Sequence, residues 1–254
     1  MIFESFFSPL NYLFESRLRT FHSKISWILI YVIPQFLLFT IDKDISAHTF
    51  IQFLLLFLSF FSFYECGYLV NDFISTKKES TPNVRLSVKR VEALQDKVWK
   101  LVFIKCLLGL IFLGLYSALF SLDVDKYVII WGACLVFFAL HNWIRSRWNC
   151  LTYLFLCFTK YIAFLDFSIG DYLVVLVIFP LLRSLEHSMK DKYLINYPEY
   201  LKNLDLNRVV YYSVLSLILL YIAKQGLFII ALYYLCVRTS FYLILKSNIE
   251  IQKD

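Results

Sequence analysis

The stretch Tyr64-Glu65-Cys66-Gly67-Tyr68-Leu69-Val70-Asn71-Asp72-Phe73-Ile74-Ser75-Thr76-Lys77-Lys78-Glu79 decides how this chain is read. It begins inside an apolar run and ends in a basic loop. A run of this kind reads as a membrane helix, and a glutamate and two tyrosines occupy its last turns. Ionisable groups at that depth are expensive, so Glu65 marks a functional site. The Asn71-Asp72 pair then stands at the membrane edge, ahead of Lys77 and Lys78. Oxygen ligands next to lysines are what a Mg²⁺-bridged phosphate needs: ligands for the metal, cations for the phosphate charge.

Outward from this stretch, the composition is that of a membrane protein. The chain has 254 residues, 60% of them hydrophobic and 19% aromatic, with a mean hydropathy of +0.67; soluble domains sit nearer about 45–50% apolar. The expected fold is all-α, a polytopic membrane helix bundle of about eight transmembrane helices, each needing about 20 residues. The apolar runs lie near 25–41, 49–70, 99–121, 127–143, 150–168, 171–185, 209–223 and 226–245. The run 171–185 is short and reads as a tilted or half-buried helix, or as the end of one helix broken near Ser168-Ile169-Gly170. Residues 1–24 form an amphipathic interfacial segment, 25–246 the membrane domain and 247–254 a cytoplasmic tail. Glu4 comes early and no small-residue cleavage site follows, so a cleaved signal is not expected. The cysteines Cys66, Cys106, Cys134, Cys150, Cys157 and Cys236 lie in or beside apolar runs without a CxxC pair. They read as buried thiols, not as a zinc site or disulfide frame.

Charge sets the topology. Of 25 Lys and Arg, Lys43, Lys126 and Lys224 fall on one side of the membrane, and Lys105, Lys160 and Arg238 fall inside spans. All the others fall on the side of the amino terminus, which places both termini in the cytoplasm. The net charge of +6 is therefore a topology signal and a phosphate-friendly cytoplasmic face. No nucleic-acid partner is expected; the partners are membrane lipids and anionic ligands.

Three further clusters carry chemistry. Ser8 to Lys24 reads as one interfacial helix, capped by Ser8 with Pro9 at its first position. Leu10, Leu13, Phe14, Leu18 and Phe21 form its apolar stripe, and Arg17, Arg19, His22 and Lys24 face headgroups or a cytoplasmic cavity. In the second span Tyr64, Tyr68 and Asp72 share a helical face, and Glu65 needs a partner such as Lys105, Lys160 or Arg238. After the sixth span, Arg183, Glu186, His187, Lys190 and Asp191 fall on one helical face, followed by Lys192 and Tyr193. The fourth-to-fifth connection adds His141, Asn142, Arg145 and Arg147. Both charged ends lie on the cytoplasmic side, where loops between bundle helices build a ligand site.

Asn71-Asp72 ending a second span, a basic loop, and a second charged motif after the sixth span together resemble the UbiA superfamily of intramembrane prenyltransferases, over roughly residues 17–245. The resemblance implies an all-α bundle in which Mg²⁺, held by two aspartate-rich cytoplasmic motifs, binds an isoprenoid (di)phosphate. That family's first motif reads Asn-Asp-x-x-Asp-x-x-x-Asp. Here it runs Asn71, Asp72, then Ser75 in place of the next Asp, then Glu79, with Pro82 and Arg85 similar to the Pro and Arg that follow. The second motif keeps only Asp191 beside Glu186, Lys190 and Lys192. Polyprenyl-phosphate phosphoribosyltransferases depart in the same way, and Leu18-Arg19-Thr20-Phe21-His22-Ser23-Lys24 is loosely similar to their Leu-Arg-Pro-x-Gln-Trp-x-Lys entry.

The resemblance implies a Mg²⁺-dependent transferase acting on an isoprenoid lipid phosphate, with a phosphate-rich or small-molecule co-substrate. Phosphoribosyl pyrophosphate is the favoured donor and prenyl transfer from a prenyl diphosphate the alternative. Asn71, Asp72 and Glu79 would hold the metal, and Asp72, Glu65 and Tyr68 would act in catalysis. Lys24, Tyr64, Lys77, Lys78, Arg85, Arg147, Lys160, Glu186, His187 and Lys190 would bind substrate. The site would face the cytoplasm, with the bacterial inner membrane the expected location. A lipid carrier or transporter, and a non-catalytic scaffold, are the readings of other classes.

Overall fold

The computed structural model describes residues 2–78, 85–120, 124–144, 146–165, 169–190, 198, 201 and 203–251. It divides into two units, one made of Met1–Trp27 with Lys43–Arg145 and the other of Ile28–Asp42 with Ser146–Asp254. The described residues form helices and turns. Among the described residues, six helices are long and apolar enough to cross a membrane: Phe21–Thr40, Ala47–Ser75, Val98–Phe120, Asp125–Trp143, Leu204–Tyr221 and Gln225–Lys246. Their outward faces carry large apolar side chains such as Phe103, Leu110, Ile129 and Leu217, each more than half exposed. A surface of that extent belongs in lipid, where apolar side chains need no cover.

The first unit begins with short helices α1 (Ile2–Ser5), α2 (Asn11–Ser16) and α3 (Phe21–Trp27). The single interfacial helix expected over 8–24 is thus divided. Leu10 adopts a left-handed conformation (φ 68°) and turns the chain, and Ser8 and Pro9 lie ahead of the helix start. The side chains of Tyr12, Leu13 and Ser16 are buried, so α2 is drawn into the protein. Ser46, in extended backbone, accepts from Thr49 N at 3.2 Å and starts α5 (Ala47–Val70); before it comes α4 (Ile33–Thr40) of the second unit. After α5 come a π-helical turn (Asn71–Ser75), α6 (Val88–Gln95), α7 (Val98–Phe120) and α8 (Asp125–Trp143).

Helix α5 packs on both α7 and α8. Gly109 of α7 lets the helices approach: a Cβ there would come within 2.5 Å of the Phe63 ring. The Ser59 hydroxyl uses that closeness, donating to Gly109 O at 2.8 Å and accepting from Trp131 Nε1 of α8 at 2.8 Å. Small residues and interhelical hydroxyl bonds are the usual adhesive where lipid removes the hydrophobic drive between helices.

The second unit holds α4 and its preceding π turn (Ile28–Val32), α9 (Asn149–Ile162), α10 (Ile169–Leu176), a π turn (Val177–Leu181), α11 (Leu182–Ser188), α12 (Leu204–Tyr221) and α13 (Gln225–Ile251). Pro34 and Pro180 account for two of the wide turns, because proline lacks the N–H that would bond four residues back. Tyrosines take up carbonyls in these turns. Tyr234 donates to Ile30 O at 2.9 Å, Tyr233 to Leu29 O at 2.8 Å, and Tyr211 to Val177 O. Lipid offers no partner for such carbonyls, so neighbouring side chains must supply one. Of the runs expected at 150–168 and 171–185, the first is helical as α9 up to Ile162, with residues 166–168 outside the described residues, and the second is helical as α10 to α11.

Candidate functional site

The amino-terminal turn and α5 build the first polar centre. The π turn at Asn71–Ser75 widens the helix at the motif, and Thr76 donates its hydroxyl to Asp72 O at 2.6 Å. Asp72 points back toward α2. Its Oδ2 accepts from Tyr12 Oη at 2.8 Å and Arg17 Nη1 at 2.6 Å. Its Oδ1 accepts from Arg17 Nη2 at 2.8 Å, Asn71 Nδ2 at 3.0 Å and Arg85 Nη1 at 3.3 Å. The guanidinium of Arg17 also lies over the Tyr68 ring, 3.9 Å from its centroid. Burial opposes the charge on Arg17, but its hydrogen bond and charge contact with Asp72 outweigh that and raise its pKa. Burial, reinforced by the Asp72 charge, pushes the Tyr12 phenol well above its ordinary value, so it stays a proton donor.

Two turns earlier on α5, Glu65 meets Lys105 of α7. Oε2 accepts from Lys105 Nζ at 2.5 Å and from Leu10 N at 3.2 Å, and Oε1 accepts from Leu13 N at 2.7 Å. Lys105 donates also to Ser8 O at 2.6 Å. The carboxylate thereby caps the start of α2, satisfying backbone donors that no side chain of that short helix reaches. Of the three partners considered for Glu65, the structure selects Lys105, and Glu65 works here as an anchor for the amino-terminal turn.

Beside this centre, still within the first unit, lies a cavity of about 460 Å³ lined by Asn11, Phe14, Glu15, Arg19, Lys24, Leu86, Ser87 and Arg90. Glu15 pairs with Arg90, so Arg19 and Lys24 give the lining a cationic excess. Lys24 Nζ lies 5.5 Å from the Phe14 ring centroid.

The second unit carries its own centre. Glu186 accepts from Arg183 Nη1 and from Arg208 Nε, both at 2.6 Å, and Arg208 Nη1 reaches Asp205 at 2.6 Å. His187 stacks on Tyr153 with ring centroids 4.0 Å apart, and its two nitrogens contact Asn149 Oδ1 at 3.3 Å and Lys190 Nζ at 3.0 Å. The single helical face expected for Arg183, Glu186, His187, Lys190 and Asp191 holds as far as His187, because the helix stops at Ser188, before Lys190. Lys160 is buried, its Nζ 5.2 Å from the Tyr31 ring centroid.

Other expected residues are placed individually. Tyr64 is buried, edge-on to Tyr68 at 5.0 Å and to Phe138 at 4.5 Å. Lys77 and Arg147 are exposed. Glu79, Pro82, Arg145, Asp191, Lys192 and Tyr193, with the side chain of Lys78, lie outside the described residues. Tyr12, Arg208 and the pairing role of Arg17 had no signal in residue spacing. Each comes from a segment remote in sequence from the carboxylate it serves.

The donor set of Asp72 does not fit Mg²⁺ as arranged. A hard cation needs free carboxylate oxygens, and both oxygens of Asp72 are covered by Arg17, with Tyr12, Asn71 and Arg85 adding further donors. Among the described residues, no three His, Cys, Asp or Glu side chains converge as a metal site requires. The chemistry of this centre is that of cations and hydroxyls around an anion.

No family model, curated protein or solved structure matches this chain.

Proposed function

We propose that this chain is an integral membrane transferase acting on an isoprenoid lipid phosphate, with phosphoribosyl pyrophosphate as the favoured donor. The observation that carries the reading is the cationic cavity of the first unit, bordered by Arg19, Lys24 and Arg90 beside the Asp72–Arg17–Arg85 cluster. A cavity of about 460 Å³ suits a phosphate-rich headgroup, and arginine forks match phosphate oxygens. In the transfer, a lipid phosphate oxygen bonds to ribose C1 while pyrophosphate leaves with the bonding electrons. Arg19, Lys24 and Arg90 would stabilise the charge that gathers on the leaving group. Arg17 and Asp72 would hold the cavity wall, with Tyr12 as a neutral donor. Prenyl transfer from a prenyl diphosphate uses the same cations and is the alternative reaction. The finer architecture belongs to the same proposal: about eight membrane helices in a UbiA-like arrangement, with termini and site in the cytoplasm.

One observation favours a second reading. The bidentate Arg17–Asp72 pair neutralises the motif's carboxylate, which suits a non-catalytic lipid-phosphate binder. The test is transfer of label by the purified full chain in detergent, from ribose-labelled phosphoribosyl pyrophosphate to polyprenyl phosphate. A parallel mixture contains labelled prenyl diphosphate and aromatic acceptors. Lipid labelling that is lost in Arg19→Ala/Lys24→Ala supports phosphoribosyl transfer, and labelling only in the second mixture supports prenyl transfer. Lipid-phosphate binding by the folded protein without product in either mixture overturns the enzyme reading.

A further inference from the structure

Helix α12 carries Arg208, Tyr212 and Ser216 at steps of four, on one helical face. Tyr212 is fully buried and Ser216 nearly so, yet among the described residues the Tyr212 hydroxyl and the Ser216 Oγ have no hydrogen-bond partner. Arg238 of α13 is 6% exposed, and among the described residues its Nε is also without a partner, as is the Nε of Arg183. Packing brings these elements together: α12 lies against α13, the Tyr212 ring stacks on Tyr234 of α13 with centroids 4.9 Å apart, one turn before Arg238, and Arg208, one turn before Tyr212, shares Glu186 with Arg183. The charges of Arg183, Arg208 and Glu186 also act on Arg238.

Charge makes the centre unusual. Arg183 and Arg208 share Glu186, while Asp205 takes a further N–H of Arg208 at a more exposed position. Arg238 forms no ion pair among the described residues, although it lies on a helix apolar enough to span a membrane. Like charges repel it and one shared carboxylate attracts it. A guanidinium in such a place is costly unless an anion completes it. The unmatched groups at this centre are all donors or can act as donors: two Nε–H and two hydroxyls. Their number and the cationic excess fit a phosphate group, whose several oxygens accept from many donors at once.

We infer that this arginine-hydroxyl face of the second unit is an anion site for a phosphate group, held by Arg238, Arg183, Tyr212 and Ser216. Glu186, at its edge, also borders a cavity of about 320 Å³ whose lining is otherwise largely apolar, with Leu182, Leu185, Met189 and Val210. A phosphate on a hydrocarbon chain and a free phosphate share the recognising chemistry. The inference rests on the second unit alone and does not depend on the cavity assigned to the first.

The experiment titrates the full chain in detergent with inorganic phosphate and, separately, with farnesyl monophosphate, following heat of binding and thermal melting. It is run in an Arg19→Ala/Lys24→Ala background, so that the first unit's cavity contributes little. Arg238→Gln is expected to weaken binding about tenfold or more, since a lost charged hydrogen bond has that order of effect. It should not lower the melting temperature of the ligand-free protein, because an unpaired buried charge is removed. Tyr212→Phe and Ser216→Ala, which preserve packing, should weaken binding in the same direction. Binding of both probes, or of inorganic phosphate alone, indicates a free-phosphate site, and binding of the farnesyl compound alone indicates a lipid headgroup site. No binding in the background protein, or binding unchanged in all three variants, overturns the inference. A fall in ligand-free melting with unchanged binding also overturns it, showing that water satisfies these groups.

Discussion

Glu65 and Lys105 meet at 2.5 Å across α5 and α7, both fully buried, and the same carboxylate accepts from the backbone of Leu10 and Leu13. One acidic side chain thus joins two membrane helices to the amino-terminal turn. Replacing one partner leaves an uncompensated buried charge, which costs about 3–5 kcal/mol. Glu65→Leu and Lys105→Met should each lower unfolding stability by that order in detergent. The double substitution should recover only in part, because the amide donors of α2 remain without an acceptor. Full recovery in a double-mutant cycle would show that the cap contributes nothing.

Arg17 holds both oxygens of Asp72 and stacks on Tyr68. Lysine cannot reproduce a planar two-point contact. Arg17→Lys is therefore expected to lower the melting temperature and lipid-phosphate binding nearly as much as Arg17→Ala. In the ligand-free wild type, Mg²⁺ should leave melting unchanged, because the carboxylate is already covered. Arg17→Ala should gain a Mg²⁺-dependent rise, and thermal scans with and without the ion check both statements.

Burial alone would raise the Glu186 pKa, but the hydrogen bond from Arg208 and the charges of Arg183 and Arg208 hold it below the ordinary 4.5. A carboxylate with a depressed folded pKa stabilises above its unfolded value and loses that contribution as pH falls through the folded one. Glu186→Gln should be less stable than wild type near neutral pH. The gap should close as the pH drops below about 4.5, the range set by the unfolded carboxylate. Melting curves of both proteins across that range decide it.

Gly67 sits against Phe138, and a Cβ there would fall 2.2 Å from the ring. Gly67→Ala should cost about 1–3 kcal/mol through overpacking, and Phe138→Leu should restore part of it. Gly114, in the same unit, has open space around its missing Cβ. Gly114→Ala should be neutral or stabilising by up to about 1 kcal/mol through helix propensity. Chemical unfolding of the two alanine variants separates close approach from simple helix preference.

Much of the fold was legible in one dimension. Apolar runs announce membrane helices because lipid admits few other structures, and a glutamate within such a run announces a buried partner. The 3.6-residue period put Arg183 and Glu186 on one helical face, and their ion pair within α11 agrees with it. It could not divide the 8–24 segment, because the competing stabilisation is a carboxylate 52 or more residues away that caps the turn at Leu10 and Leu13. Nor could it choose Lys105 over Lys160 or Arg238, or bring Arg17 and Tyr12 to Asp72. Local periodicity and solvent preference act along the chain, so the sequence by itself determined the helices and their membrane character. Which charges meet depends on where distant helices pack, and only the tertiary structure decided that Asp72 is covered by arginine and that Arg208 reaches Glu186.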